Sequence, residues 1–315
     1  MHYAKKKVVC FGGGTGLPAL LSGLKDNPWL DLHAIVSTLD SGGSSGELRD
    51  RFGILPPGDL LKCLLALSKH EKVAREILLK RITHRTYPGH TGGNILLLGF
   101  EKVYGDYRSA VDALGQLLAI EGRVIPVTHK QGTICAAYKD GTVYSGEAQV
   151  DIGIKEGKAV DRLYLEEEVE ASEEALEAIK SADAICIGPG SFYTSVIPNF
   201  LPTGVAQALS RTSVPVIFTC NFLTEGKGMK GYTVEKYVRI LEHYIGRPVS
   251  AVVVSKSVPE EAALKKYAAE QKHLVAADEP HPNLEYIFAD LWTDPDIARH
   301  DSSKLASLIS ALILK

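Results

Sequence analysis

The chain has 315 residues, 45% of them hydrophobic and 23% charged, with a formal net charge of −3 and five cysteines. That length supplies a core that needs no disulfide or metal staple, and the near-neutral balance excludes a global basic field for nucleic acid. The cysteines form no C-x-x-C pair, the lysine-bearing start MHYAKKKVVC leads into no signal-type apolar stretch, and no apolar run approaches ~18 residues, so zinc, secretion and membrane spanning are not expected.

Residues 7–11 predict a buried strand, short, β-branched and stopped by glycine. Gly12, Gly13, Gly14, Thr15 and Gly16 follow, and Leu17, Leu20, Leu21 and Leu24 then share one face of a helix over 17–24. Such a strand–glycine turn–helix unit has a mechanism. Glycines let a phosphate approach backbone N–H groups, and the helix presents its positive N-terminal end. No Gly-Lys-Ser/Thr follows, so this is not a P-loop, and Leu17 stands where a dinucleotide fingerprint starting at Gly12 needs glycine. The plain alternative is a tight turn that binds nothing. A second strand is expected over 32–38, followed by Asp40, Ser41, Gly42 and Gly43 at the carboxyl edge of the sheet, where α/β folds bind ligands. Asp40 could accept a ribose hydroxyl, hold magnesium through water, or cap a turn.

Helices are expected over 59–67, 74–82 and 91–104, the last opened by a loop carrying His90, Gly92, Gly93 and Asn94. Residues 123–165 break the rhythm: Asp140-Gly141 between two alternating runs signals a hairpin, and hence a small antiparallel β insert. Strands over 182–187, 214–220 and 249–254 and amphipathic helices over 260–271 and 304–314 complete the chain. The strand at 182–187 runs into Gly188, Pro189, Gly190, Ser191 and Tyr193, a second nest able to hold an oxyanion, and Asn221 ends the next strand. Cys10, Cys186 and Cys220 lie in apolar runs and read as buried thiols of a reducing, cytoplasmic compartment. The alternation implies an α/β fold with a parallel sheet covered on both faces: one nucleotide-binding domain over 1–315, with the insert at about 123–165. The glycine-rich and polar loops together form a ligand cleft. Neither H-E-x-x-H, G-x-S-x-G nor a Walker lysine accompanies them, so binding of a phosphorylated ligand is favoured over any named reaction.

Six ordered segments, VCFGGGTGL, TLDSGGSSGELR, PPGDLLKCLLAL, GGNILLLGF, IGPGSFYTSVIPN and CNFLTEGKGMKGYT, resemble the bacterial gluconeogenesis factor family. That family belongs to the superfamily of the archaeal 2-phospho-L-lactate transferase, which builds a deazaflavin cofactor. The resemblance implies a Rossmann-like three-layer fold with a mainly parallel six-stranded sheet, usually in a homodimer. It implies a cytoplasmic protein needed for cell shape and wall integrity on gluconeogenic carbon sources, with cell-wall regulatory proteins as partners. The ligand it implies is a UDP-sugar, UDP-N-acetylglucosamine in particular. On that reading Tyr267 and Arg299 are the candidates for stacking on uracil and pairing with the diphosphate, for which a flat ring and a bidentate fork are suited. The superfamily's transferases place several acids after the second strand for magnesium; here that stretch, 40–44, has only Asp40. This favours a binding protein without assigned catalytic residues. A magnesium-dependent transferase of the phospholactate type and NAD binding on the same loops stay open as alternatives.

Overall fold

The structure, a computed structural model, describes residues 4–39, 55, 58–82, 90–277, 284–294 and 296–315. The chain begins with β1 (Lys6–Gly12), α1 (Gly16–Leu24) and β2 (Leu30–Val36). Helices α2 (Gly58–Leu67), α3 (Glu71–Leu78), α4 (Gly92–Tyr104) and α5 (Tyr107–Leu117) lead to β3 (Arg123–Pro126). The insert follows as β4 (Ile134–Tyr138), β5 (Val143–Ser145), α6 (Glu147–Glu156) and β6 (Val160–Leu165). The second half runs through α7 (Glu173–Lys180), β7 (Ala184–Ile187), α8 (Val205–Ser210), β8 (Val216–Thr219), α9 (Val234–Ile245) and β9 (Ala251–Ser255). It ends with α10 (Glu261–Ala269), β10 (Glu285–Ala289) and α11 (Ser302–Ile313).

Seven strands form one parallel sheet in the order β10-β9-β8-β7-β1-β2-β3. The strand period of two explains its two cores. Val9 and Phe11 of β1 point into a core shared with α7, α8, α9 and the insert, whereas Val8 and Cys10 point into one shared with α1, α2, α5 and α11. All four residues are fully buried, which is why β1 reads as a continuous apolar run. The five cysteines are free and buried, and no described helix is long and apolar enough to cross a membrane.

The sheet has seven strands rather than the six implied by the resemblance. Its outermost strand, β10, is a short edge strand with exposed and half-buried positions and lacks the buried run that marks a central strand. Residues 123–126 also fall differently from the expected boundary. Arg123–Pro126 pairs in parallel with β2, in the register His33 to Arg123 through Val36 to Pro126, so this stretch belongs to the main sheet. The antiparallel part begins at β4, whose neighbours are β5 and β6. The Asp140-Gly141 hairpin joins β4 to β5, with Gly141 at φ +83°.

Sheet order fixes where a ligand can sit. From β1 the chain builds outward through β2 and β3, then returns to β7 on the other side of β1 and builds the opposite way to β10. The loops after β1 and β7 therefore diverge at a switch point, and a crevice opens between them at the carboxyl ends of the strands.

Candidate functional site

At that switch point lies a cleft of about 410 Å³. Its walls take Gly14, Thr15 and Gly16 from the loop after β1, Pro189, Gly190 and Ser191 from the loop after β7, and residues 221–225 from beyond β8. The insert contributes Asp151 and Lys155 from α6, and the C-terminal part contributes Tyr267, Lys272 and residues 297–300.

The two glycine loops interlock. A Cβ on Gly16 would lie 2.3 Å from the carbonyl oxygen of Pro189, and one on Gly190 would lie 3.2 Å from the carbonyl oxygen of Gly13. A Cβ on Gly13 would lie 2.4 Å from Oδ2 of Asp59. Gly14 has φ +62°, a conformation only glycine adopts freely, and its N–H donates to Asp59 Oδ2 at 2.5 Å. Lys62 Nζ donates to the other oxygen at 2.8 Å. Asp59, in the first turn of α2, is thus the acid that the described residues place on the glycine loop. The N–H group expected to meet a phosphate is held by a protein carboxylate.

The second loop is braced from below. Asn221 Nδ2 donates to the Gly190 carbonyl at 2.7 Å, and Asn221 Oδ1 accepts from the Gly190 N–H at 3.3 Å. Glu225 accepts from the Phe192 N–H, from Ser191 Oγ at 3.0 Å and from Asn221 Nδ2 at 3.3 Å. Thr194 Oγ1 donates to Ser191 Oγ at 2.7 Å. Asn199, fully buried, ties this turn to β1 by donating to the carbonyls of Ser195 at 2.8 Å and Gly12 at 3.3 Å. Burial pushes the Glu225 carboxyl up to about 7, against the downward pull of the Phe192 and Ser191 hydrogen bonds and of Lys272.

Part of the cleft wall is supplied by the C-terminal segment. The Tyr267 hydroxyl accepts from the Ala298 N–H at 3.3 Å, which seats the ring against residues 297–299. Lys272 Nζ lies 5.7 Å from the centre of that ring and pairs with Glu270 at 2.6 Å. Lys155 pairs with Asp151 at 2.5 Å, one helical turn away on α6. Lys155, Lys272 and Arg299 face a cleft whose own acids are Asp151 and Glu225. Cationic side chains and polar backbone lining one cleft suit an anionic ligand with a flat ring.

Of the candidates named from sequence, Gly14, Thr15, Gly16, Pro189, Gly190, Ser191, Asn221, Tyr267 and Arg299 all reach this cleft. Gly12, Gly13 and Gly188 lie directly behind it in the same loops, with the Gly188 N–H donating to the Phe11 carbonyl at 2.8 Å. Two candidates lie elsewhere. Tyr193 is 2% exposed, and its hydroxyl pairs with that of Tyr232 at 3.0 Å inside an aromatic cluster, so its ring is core. Asn94 is buried at the start of α4, where its N–H donates to the N-cap hydroxyl of Thr91 at 3.2 Å, and it is absent from the cleft wall. Asp40, Ser41, Gly42 and Gly43 lie outside the described residues, and so does the magnesium expectation at Asp40. Among the described residues no cluster of three metal-binding side chains occurs. Sequence reasoning missed Asp151, Lys155, Glu225, Lys272 and His300. Asp151 and Lys155 fell within the stretch read as a β insert, Lys272 and His300 carried no glycine signal, and Glu225, although it precedes Gly226 in the segment CNFLTEGKGMKGYT, stood there as a lone acid.

The family model of 2-phospho-L-lactate transferase CofD matches residues 8–292. The chain belongs to the CofD family. Within it, this member is 36% identical to a putative gluconeogenesis factor of Thermotoga maritima, over 97% of this chain and 99% of that protein. It is 34% identical to the gluconeogenesis factor of Bacillus subtilis, over 98% of each. A crystal structure of a UPF0052 family protein from Bacillus halodurans superimposes with a TM-score of 0.91 at 34% identity, covering 97% of this chain and 99% of that one.

Proposed function

We propose that this CofD-family member is a cytoplasmic regulatory protein that binds a UDP-sugar, UDP-N-acetylglucosamine foremost, and links carbon supply to cell-wall synthesis and cell shape. The observation that carries the reading is convergence. Tyr267 and Arg299, chosen for base stacking and diphosphate pairing, share one cleft with both glycine-rich loops although more than a hundred residues separate them from the first. The relatives named as gluconeogenesis factors support the carbon-source connection. Calorimetric titration with UDP-N-acetylglucosamine tests it. Binding is expected in the micromolar range, with Tyr267→Ala and Arg299→Ala each weakening it about 10-fold or more, as for a lost stacking or charge-assisted contact of ~1–3 kcal/mol. Absence of binding at millimolar ligand overturns the reading.

The second reading is a magnesium-dependent transferase of the phospholactate type, favoured by the family model itself. In that reading Asp40 would hold the metal. Against it stands the state of the acid on the glycine loop: both oxygens of Asp59 are engaged by the Gly14 N–H and Lys62. Transfer chemistry needs preplaced groups that stabilise charge developing in the transition state, beyond those that bind the ground state. UDP-N-acetylglucosamine incubated with the protein and magnesium is expected to be recovered unchanged by chromatography. Steady release of UDP or UMP, abolished in Asp40→Asn, would overturn the binding-only reading and restore the transferase class.

A further inference from the structure

Ser191 stands where β7 ends. Gly188, Pro189 and Gly190 turn the chain there, and a helical turn over Phe192–Val196 follows. A serine in that place ordinarily caps the helix with its side chain, but this one makes no such cap. Its hydroxyl instead donates to Glu225 Oε2 at 3.0 Å and accepts from Thr194 Oγ1 at 2.7 Å. With its proton directed at the carboxylate and one lone pair at Thr194, the oxygen keeps a second lone pair. Ser191 and Glu225 both line the cleft and keep part of their surface exposed.

The carboxylate is itself oriented. Its Oε1 accepts from the Phe192 N–H and from Asn221 Nδ2 at 3.3 Å, which leaves Oε2 to the serine. Asn221 is in turn fastened to the Gly190 carbonyl at 2.7 Å. A hydroxyl within about 2.6–3.2 Å of a base, and a base fixed by further groups, is the arrangement that activates a serine nucleophile. Burial raises the Glu225 carboxyl to about 7; Asp151 on α6 pushes it further up and Lys272 pulls it down. The hydroxyls of Tyr193, Tyr232 and Tyr237 feel the same carboxylate and stay protonated. A base poised near neutral pH takes and returns a proton most effectively.

We propose that Ser191 is a nucleophile and Glu225 its general base, forming an acyl-transfer site for a carboxylic ester that carries an anionic group. Ser191 Oγ would bond to the ester carbonyl carbon while its proton passes to Glu225. Collapse of the tetrahedral adduct breaks the ester C–O bond, and the leaving alcohol takes the proton from Glu225. Water then hydrolyses the acyl-serine by the same route. The Gly190 N–H, held by Asn221 Oδ1 at only 3.3 Å, is the neighbouring donor for the oxyanion. Lys155, Lys272 and Arg299 line the same cleft and suit the anionic group. This activity is separate from the nucleotide reading, because an ester is cleaved and no phosphoanhydride is touched.

The test treats the full chain with a fluorophosphonate, which reports the first half of the reaction: the Oγ–P bond forms, the P–F bond breaks, fluoride leaves and Glu225 takes the proton. Mass spectrometry should find one adduct per chain, on the peptide carrying Ser191, and none in Ser191→Ala. The wild-type labelling rate should rise with pH through about 7 and then level, as Glu225 becomes ionised. Glu225→Gln should label about 100-fold more slowly, the usual size of a lost general base. The wild-type pH profile needs no variant to fold. With esters as probes, 4-nitrophenyl succinate should be hydrolysed faster than 4-nitrophenyl acetate, and Ser191→Ala should lose both activities. Folded wild type left unlabelled at pH 8, an adduct elsewhere, or a rate indifferent to pH between 6 and 8 overturns the nucleophile assignment and leaves the Ser191–Glu225 bond as a brace. Equal rates on the two esters overturn the anionic substrate class.

Discussion

A Cβ at position 16 would sit 2.3 Å from the Pro189 carbonyl oxygen and 2.5 Å from its carbon, both of them backbone atoms that cannot rotate aside. The glycine run is therefore required by the approach of one loop to another, before any ligand arrives. Gly16→Ala should destabilise the ligand-free protein by ~1–3 kcal/mol, the usual cost of overpacking, read as a fall in the midpoint of thermal unfolding. An unchanged midpoint would mean that the loops are not locked. The residues beneath the second loop make a pH-dependent contribution. The Glu225 carboxyl is raised from 4.5 to about 7, so the folded state holds its proton more tightly than the unfolded chain does. Its cost is absent below about pH 4.5 and grows as the pH rises to about 7. Glu225→Gln should match wild type near pH 5 and exceed it at pH 8 by an amount on the order of 1–3 kcal/mol, measured by chemical denaturation at both pH values. Greater wild-type stability at pH 8 would instead show an ionised carboxylate sustained by the Phe192 and Ser191 donors. At this scale the glycines were legible in sequence because glycine types announce close approach. Glu225 and His300 were not, because a lone acid or histidine becomes functional only through burial, which neighbours distant in sequence impose.

Helix α11 shows how an element positions site residues without lining the cleft itself. Asp301 caps it, its Oδ1 accepting from the N–H groups of Ser303 at 3.0 Å and Lys304 at 2.9 Å, and Arg299 and His300 lie immediately before that cap. The helix docks on α1 at Gly23, where a Cβ would meet the Ser302 carbonyl oxygen at 2.4 Å and the Ala306 Cβ at 2.6 Å. Gly23→Val should push the start of α11 outward, costing ~1–3 kcal/mol by overpacking, and should weaken nucleotide binding although position 23 is absent from the cleft wall. Denaturation and calorimetry on the same sample check both effects; loss of stability with unaltered affinity would uncouple α11 from the site. The helix itself was readable from its apolar spacing, since Leu305, Ala306, Ile309 and Ile313 are all buried. Helix α6 was not. It packs tightly on the insert's strands, with a Cβ on Gly153 falling 2.2 Å from the Tyr138 hydroxyl, and its sequence buries only Val150, Gly153 and Ile154. Too short an apolar stripe, following the hairpin signal at Asp140-Gly141, reads as part of the β insert.

For the whole molecule, the sheet's reversal at β1 and β7 explains why one cleft gathers residues from the first glycine loop to the last turn before α11. Alternating strand and helix patterns were enough to foresee a parallel sheet with loops at its carboxyl edge. Which loops would meet depended on strand order, which no local pattern encodes, and the share taken by the insert was invisible for the same reason. The insert contributes a cation: Lys155, exposed and paired with Asp151 at 2.5 Å, lines the same cleft as the C-terminal segment that carries Arg299. An exposed pair of this kind stabilises the fold by little, ~0–1 kcal/mol, so removing the lysine should leave folding intact. Its effect on an anionic ligand should be larger at low ionic strength, because Lys155→Ala both deletes a positive charge and leaves Asp151 uncompensated beside the cleft. Screening over a length of about 10 Å at 0.1 M salt and about 3 Å at 1 M should then erase the difference. Lys155→Ala is accordingly expected to bind UDP about 5–10-fold more weakly than wild type at 20 mM salt and nearly equally at 1 M, with an unchanged unfolding midpoint. Equal affinities at 20 mM salt would confine the insert to covering the cleft, with Lys155 committed to Asp151 and the ligand's charge met by Lys272 and Arg299 alone.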